Sequence, residues 1–202
     1  MTDATSFQLV NEIDEYRNFH IQGSLIKSRI LYVHVNHGAS TMKAVLQLLP
    51  TDVRELLSKP VYIGEWYPLS LLATLDFAIV QVIGGGSEKV HEDLGTFSAD
   101  INLTGAYEPL VHRDIHEFLQ LTAMLHKSYQ DFGEAKYIKM GETAALLQFR
   151  YPQPPPKHYC RSGLGYIRRS VEICGGKNVN VRMTFCSRNG DPICEFRIDW
   201  QK

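Results

Sequence analysis

Cys186-Ser-Arg-Asn-Gly-Asp-Pro-Ile-Cys194-Glu-Phe196 places two cysteines on either side of a turn. Residues 189–192, Asn-Gly-Asp-Pro, tolerate or preset turn backbone, and runs rich in Val, Phe, Ile and Trp flank them. The pattern predicts a β-hairpin. If its strands pair symmetrically about Gly190, the two cysteines face each other with Cβ atoms about 4.5 to 5.5 Å apart. That separation suits a shared metal ion or, with adjustment, a disulfide.

The alternation of side chains conflicts with this simple pairing. The apolar face of the first strand consists of Val179, Val181, Met183 and Phe185, which leaves Cys186 on the opposite face. Cys194, in contrast, shares a face with Phe196, Ile198 and Trp200. One extra residue near Phe185 or Cys186 would bring both sulfurs to one side. We therefore predict a β-bulge there.

Length and composition narrow the class of protein. The chain has 202 residues, 44% of them hydrophobic, which favours a substantial core in one domain, or at most two small ones. A formal charge of -1 gives no general electrostatic footprint for nucleic acid or an anionic membrane. The polar, acidic start lacks a secretory signal, and no apolar run approaches about 18 residues. These features predict a cytoplasmic protein without membrane insertion, whose four cysteines are thiols or metal ligands.

The order of elements predicts an α+β fold, with an N-terminal helical layer packed on a C-terminal antiparallel sheet that has one inserted helix. Residues 1–20 are expected to form a loosely ordered lead-in, and residues 21–202 a single domain. Hydrophobic spacing and glycines predict helices over residues 25–38, 40–49, 51–58, 70–83, 87–101, 114–132 and 163–174. Strands are predicted over 135–140 and 144–151, ahead of the final hairpin. The glycines at 84–86 are interpreted as a helix stop, because a phosphate loop would follow a strand and end in Gly-Lys-Ser/Thr.

Three cysteines are candidate metal ligands: Cys160, Cys186 and Cys194. Cys160 precedes the predicted helix 163–174, whose positive end would favour its thiolate. Structural zinc takes four ligands, and His158 is the nearest spare donor. Packed free thiols remain the alternative. Cys174 lies on the apolar stripe of its helix and is expected to be a core residue.

Other candidate residues carry weaker signals. The pairs His34/His37 and His112/His116 share a helix side but lack the Glu of a zinc-protease helix, so hydrogen-bonded or solvated histidines are favoured. The aromatic residues that could line a pocket, or equally form ordinary core, are Trp66, Tyr67, Tyr107 and Tyr137. No nucleophile elbow, P-loop or dinucleotide fingerprint occurs in the sequence, which argues against an enzyme.

Motifs along the carboxyl-terminal third resemble those of a known family. They are Tyr159-Cys160, Gly163, Gly165-Tyr166, Asn178-Val179, Cys186 and Gly190-Asp-Pro-Ile-Cys-Glu-Phe196. This part of the chain resembles a 4-vinyl-reductase-like domain. The N-terminal part, with Ile21-Gln-Gly-Ser24, Trp66-Tyr-Pro68 and Asn102-Leu-Thr-Gly-Ala-Tyr107, is similar to an uncharacterised paralogous family of myxobacterial proteins. The resemblance covers nearly the whole chain. It implies the fold shared by haem-nitric-oxide sensors and transport-particle subunits, and a homodimer.

The resemblance also implies a small-molecule pocket beside a zinc site, onto which Cys160, Cys186 and Cys194 match in spacing. Met183 stands where the family has an acidic fourth ligand, which puts zinc in question. His112 lies closest to the family's pocket histidine. The signature of the haem sensors is not visible, which argues against haem, and the chain carries no ATPase or DNA-binding module.

Two functional hypotheses follow, with a third behind them. The first is a non-enzymatic sensory or adaptor domain that binds a hydrophobic small molecule, through Trp66, Tyr107, His112 and Tyr137, and signals to a protein partner. The second is a structural interaction or assembly module without a ligand. An enzyme acting on a tetrapyrrole or phenolic compound is third, because no acid-base pair is evident.

Overall fold

Apolar helices dominate the first of two units into which the chain divides, between His91 and Glu92. The computed structural model describes residues 15–105, 107–111, 114–156 and 158–202. In the first unit a short strand β1 (His20–Gln22) pairs antiparallel with β2 (Trp66–Pro68). The helices are α1 (Gly23–Leu48), α2 (Thr51–Leu57) and α3 (Leu69–Gly84). The Tyr16 side chain, ahead of the predicted domain start at residue 21, is buried.

The buried helix predicted over residues 70–83 is confirmed as α3. Its apolar sequence is buried over most of its length, and Gly85, at a φ of 54°, ends it in the left-handed region. The predicted break at Gly38 is also present, because this residue has a φ of 81° inside α1. A buried ion pair joins α1 and α3, in which Arg29 Nε donates to Asp76 Oδ1 at 3.0 Å.

The second unit is built on a four-stranded antiparallel sheet. Helix α4 (Lys89–Leu103) leads into this unit, and α5 (Ile115–Met124) follows. The strands are β3 (Glu134–Lys139), β4 (Ala144–Arg150), β5 (Lys177–Phe185) and β6 (Cys194–Gln201), in the order β3-β4-β6-β5. Helix α6 (Tyr159–Ile173) is inserted between β4 and β5. The predicted α+β class, with an antiparallel sheet and one inserted helix, is therefore confirmed.

The core of this unit lies on one face of the sheet. Side chains that alternate along the strands meet those of α5 and α6: Phe118, Leu119, Leu147, Leu164, Val171, Phe196, Ile198 and Trp200. All three candidate cysteines belong to the same apolar cluster. The sheet thus provides the surface on which the hairpin and the start of α6 are held together.

Helices α4 and α6 cross at two glycines. A Cβ on Gly95 would lie 1.9 Å from the carbonyl oxygen of Ser162, and a Cβ on Gly165 would lie 2.0 Å from that of Glu92. Both atoms that would be met belong to backbone, so no side-chain rotation could relieve either clash. The glycines therefore permit a close backbone approach that holds α6, and with it Cys160, against the rest of the unit.

Two predicted helix boundaries were wrong. Helix α6 begins at Tyr159, earlier than the predicted Gly163, so Cys160 lies in its first turn and does not precede it. Helix α5 ends at Met124, well short of Phe132. The ring of His126 is buried there, with Nε2 3.1 Å from the carbonyl oxygen of Phe132. This contact lies just beyond the end of α5.

Among the described residues, no single helix has both the length and the apolar character needed to cross a membrane. Only α3 and α4 taken together, with a bend between them, meet the length and composition that such a span requires.

Candidate functional site

The final hairpin contains the predicted bulge. Met183 pairs with Phe196, but Phe185 pairs with Glu195, so Thr184 is one extra residue on β5. Past the bulge the inward and outward positions exchange. The placement of Phe185 on the apolar face was therefore wrong, because its side chain is 46% exposed. Cys186 takes the inward direction instead and is buried.

The turn between the two hairpin cysteines is fixed by its own hydrogen bonds. A single 3-10 turn covers Ser187–Asn189, and Gly190 follows at a φ of 91°. The backbone N–H of Cys186 donates to Asp191 Oδ2 at 2.8 Å. Arg188 Nη1 donates to the carbonyl oxygen of Pro155 at 2.8 Å, on the segment that leads into α6. These bonds tie the hairpin to the chain just ahead of Cys160.

The three predicted sulfur ligands come together. The Sγ atoms of Cys160, Cys186 and Cys194 all lie within 4.8 Å of one another, and those of Cys160 and Cys194 are 3.5 Å apart. All three residues are buried. Ser187 supports the cluster, because its backbone nitrogen and Oγ lie 3.4 and 3.2 Å from Cys194 Sγ. We call these three residues the thiol cluster.

The pKa values of the three thiols in the cluster are shifted in different directions. The hydrogen bond that Cys160 donates lowers the pKa of Cys194 to about 6, with further help from Ser187. The same hydrogen bond, together with burial, raises the pKa of Cys160 well above its ordinary value. Burial also raises the pKa of Cys186. These shifts favour Cys194 as the first of the three thiols to lose its proton, because its neighbours' hydrogen bonds stabilise the thiolate form.

These residues supply three of the four ligands that a structural zinc ion needs. Structural zinc is tetrahedral with Zn–S distances of about 2.3 Å, which places ligand sulfurs about 3.8 Å apart, and the three thiols fit that spacing. Within the described part of the chain, however, no imidazole or carboxylate joins the three sulfurs, so His158 does not supply a fourth ligand. Met183 offers a thioether and no carboxylate. The described residues therefore do not complete a zinc site.

The aromatic residues predicted to contact a ligand belong to both units. Trp66 lies on β2 of the first unit and is 45% exposed. Tyr107 and Tyr137 belong to the second unit, where the Tyr107 ring meets Tyr129 edge to face at 5.3 Å. His112 lies outside the described residues.

His116 is a polar residue whose role the sequence did not indicate. Its Nδ1 lies 2.6 Å from the Tyr137 hydroxyl, and its Nε2 lies 2.9 Å from the carbonyl oxygen of Glu142. The ring also meets Trp200 at 4.9 Å between centroids. Burial raises the pKa of Tyr137, and the charge of Asp114 adds to the effect. The sequence signal was the histidine in the first turn of α5, but its partner lies 21 residues away.

A second group of polar side chains consists of His126, Gln130 and Tyr159, of which Tyr159 is the sequence neighbour of Cys160. Gln130 is buried, accepts a hydrogen bond from the Tyr159 hydroxyl, and contacts His126 Nε2 at 2.9 Å. Burial lowers the pKa of His126, which keeps its imidazole neutral. Because Tyr159 directly precedes Cys160, this group helps to fix the first turn of α6.

Comparison with known proteins identifies the fold. No family model matches the chain, and no curated protein matches its sequence. Solved structures of H-NOX domains, which are haem-nitric-oxide/oxygen sensors, do match. The Fe(II)NO form of an S. oneidensis H-NOX protein is 15% identical with a TM-score of 0.70, over 90% of this chain and 100% of that one. For an unliganded Fe(II) form of a mutant H-NOX protein from K. algicida the identity is 11% and the TM-score 0.69, over 90% and 97% of the two chains.

A third similar structure is the oxygen complex of an H-NOX domain related to soluble guanylate cyclases. It is 12% identical with a TM-score of 0.66, and the match covers 90% of this chain and 96% of that one. The chain therefore has the H-NOX fold. This confirms the expected fold of haem-nitric-oxide sensors, while the 4-vinyl-reductase-like resemblance stays a prediction.

Proposed function

We propose that this chain is a sensory domain that binds a small hydrophobic molecule and signals its occupancy to a protein partner, without catalysing a reaction. The observation that carries the proposal is the fold, because the chain matches nearly the full length of domains described as binding nitric oxide or oxygen at iron. Fold alone does not fix a ligand. The residues of this chain must therefore indicate what kind of molecule it takes.

Haem is the group to consider first, since one similar structure concerns haem distortion in the H-NOX family. A haem iron needs a free imidazole nitrogen or another axial donor. Both ring nitrogens of His116 are engaged, by Tyr137 and by the Glu142 carbonyl. His126 directs Nε2 at the Phe132 carbonyl and Gln130. Neither of these two histidines therefore fits an axial role. These contacts do not bear on His91, whose imidazole is fully buried, and we assign no step to haem.

A small apolar or phenolic molecule suits the second unit better. His116, Tyr137 and Trp200 place one imidazole, one phenol and one indole together at the edge of the apolar core. Ligand sites typically combine mostly apolar walls with a few fixed polar groups. The short His116–Tyr137 bond can open to admit a ligand hydroxyl, so we propose this pair as the polar contact, with Tyr107 on an apolar wall. Trp66 and His112 stay predictions from the sequence.

The proposal is tested by native mass spectrometry and thermal-shift measurements on the full chain with a panel of hydrophobic and phenolic compounds. We expect at least one compound to bind with one molecule per chain and to raise the unfolding temperature, as mass action requires. Tyr137→Phe keeps the ring and removes only the hydroxyl, and it should weaken hydroxylated ligands selectively. Tyr62→Phe, an exposed tyrosine of the first unit, is the matched control.

Failure of every compound to bind or to stabilise would refute the sensor proposal. The assembly-module hypothesis would then take its place, and the same native mass spectra would test it, because they report the mass of the assembly. We propose a homodimer, which those spectra would show at twice the chain mass of 23.0 kDa.

A further inference from the structure

The thiol cluster presents a metal ion with sulfur alone. We propose that Cys160, Cys186 and Cys194 form a site for a soft ion of low coordination number, with Cu(I) as the type, and not for zinc. This inference goes beyond the proposed sensory function and does not depend on it. Its basis is the number and the kind of donors that the fold brings together.

The number of donors is three. Zinc in structural sites is almost always four-coordinate, and no fourth imidazole or carboxylate accompanies the three sulfurs within the ranges that the structure describes. Burial also opposes a fourth ligand from solvent: Cys194 is 0% exposed, Cys160 5% and Cys186 6%. Cu(I) is satisfied by two or three thiolates, so the site is complete for that ion as it stands.

The spacing of the three sulfurs is compatible with a three-coordinate ion, but it does not distinguish that ion from a tetrahedral one. Three sulfurs about 2.3 Å from a central ion in a trigonal plane would be about 4.0 Å apart. The Cys160 and Cys194 sulfurs are 3.5 Å apart and all three lie within 4.8 Å of one another, so small side-chain rotations suffice. A tetrahedral ion would ask for nearly the same spacing. The choice between ions therefore depends on donor type.

Met183, on β5, would also offer a soft donor. Met183 pairs with Phe196, which is buried in the core, and Met183 itself packs against the apolar cluster that contains the thiols. The bulge at Thr184 puts Met183 and Cys186 on the same face of β5. A thioether suits Cu(I) but is a poor ligand for zinc. A carboxylate at position 183 would reverse that preference.

The donors are held in place before an ion arrives. Ser187 directs its backbone N–H and its hydroxyl toward Cys194, and Asp191 accepts the N–H of Cys186. The Arg188 bond to Pro155 links the turn to the segment ahead of Cys160. Such outer contacts orient ligands and commonly change metal affinity about 10- to 100-fold.

The test uses the full chain, reduced and metal-free under anaerobic conditions. Cu(I) is supplied from a chromophoric Cu(I) chelator, and Zn(II) is titrated separately against a zinc indicator. We expect one Cu(I) per chain with three sulfur neighbours and no nitrogen or oxygen in its X-ray absorption spectrum. Met183→Glu should raise zinc affinity at least about tenfold by completing the tetrahedral set, whereas the isosteric control Met183→Leu should not.

Cys174→Ser, a change outside the cluster at the end of α6, should leave Cu(I) binding intact, whereas Cys194→Ser should abolish it. A wild-type zinc complex with four donors that include nitrogen or oxygen would overturn the inference, as would Cu(I) binding that survives Cys194→Ser. If Met183→Glu does not fold, as judged by circular dichroism, the wild-type absorption spectra alone decide. Small-molecule binding is measured separately in the thermal-shift assay, so a failure of the sensory proposal can be distinguished from a failure of the metal-site proposal.

Discussion

Replacing Gly165 by alanine tests the packing that places α6. The added Cβ would lie 2.0 Å from the Glu92 carbonyl oxygen and 3.0 Å from the Thr96 nitrogen, where ordinary contact begins at 3.4 Å. The two helices would have to separate by about 1.4 Å, the difference between 2.0 and 3.4 Å. Overpacking of this kind costs about 1 to 3 kcal/mol and sometimes more, while alanine regains about 1 kcal/mol of helix propensity. We expect a net loss near the upper end, about 2 kcal/mol.

Gly163→Ala is the matched control, because it lies two residues away on the same helix. Its Cβ would meet only the Phe196 ring, at 3.4 Å, so the propensity gain should leave the protein unchanged or up to about 1 kcal/mol more stable. Urea unfolding followed by circular dichroism measures both variants, with the midpoint expected to fall for Gly165→Ala at an unchanged slope.

The reciprocal change extends the test. Gly95→Ala should be as harmful as Gly165→Ala, and the double variant should lose less than the sum of the two, since one separation of the helices relieves both clashes. If Gly165→Ala unfolds at the same urea concentration as Gly163→Ala, the close crossing of α4 and α6 is refuted.

Three further predictions concern the ion pair, the thiolate and a helix cap. Asp76→Asn should destabilise the chain, by up to about 3 to 5 kcal/mol, because the buried guanidinium of Arg29 loses the carboxylate that it contacts at 3.0 Å; a loss below about 1 kcal/mol in urea unfolding would contradict this. In the reduced metal-free protein, thiolate ultraviolet absorbance should appear with a midpoint near pH 6 and be missing in Cys194→Ser. Because the pKa of Cys194 in the folded chain lies below its ordinary value of 9.0, the thiolate contributes its full stabilisation above pH 9, and this contribution disappears as the pH falls through about 6. If no thiolate absorbance appeared below about pH 8, the lowered pKa of Cys194 would be excluded. Asp114→Ala removes the side chain that caps α5 by accepting the His116 backbone N–H at 2.8 Å. The change should cost about 1 kcal/mol of stability in the same unfolding assay. An unchanged midpoint would mean that the cap is dispensable.

Local rules were enough to predict the hairpin and its irregularity. The parity of apolar residues on β5 put Cys186 and Cys194 on different faces, and only an extra residue could reconcile them. The bulge at Thr184 supplies it. Glycine signals likewise placed the end of α3 and the break at Gly38. In each case the determining interaction lies within a few residues of the signal.

Longer-range interactions could not be predicted from the sequence. The hydrophobic spacing of α5 continues past Met124, but the helix ends there, and the His126 ring beyond it contacts the Phe132 carbonyl. The contact of His116 with Tyr137 joins a helix to a strand, and nothing in either segment indicates the other. Gly165 is a poor helix former by propensity, yet it lies within α6 because only glycine allows the crossing with α4.

The prediction that Cys160 lies close to the two hairpin cysteines came from the family resemblance, because the spacing of the three cysteines matches that of the family's zinc ligands. The hairpin alone predicts that Cys186 and Cys194 face each other, but it carries no information about α6. The structure supplies the remaining part through the packing of α6 on the sheet and the Arg188 contact. The absence of an acidic residue at position 183 was visible from the start, and it is the feature on which metal preference depends.

Metal content of the chain, purified from cells without added metal under reducing anaerobic conditions, tests the central claim most directly. If the fold gathers Cys160, Cys186 and Cys194 into one site, elemental analysis should find about one soft metal ion per chain, and Cys194→Ser should lose it while Cys174→Ser keeps it. Less than about a tenth of an equivalent of any metal in the wild-type protein, unchanged after Cu(I) is supplied, would show that the three thiols are packed core residues.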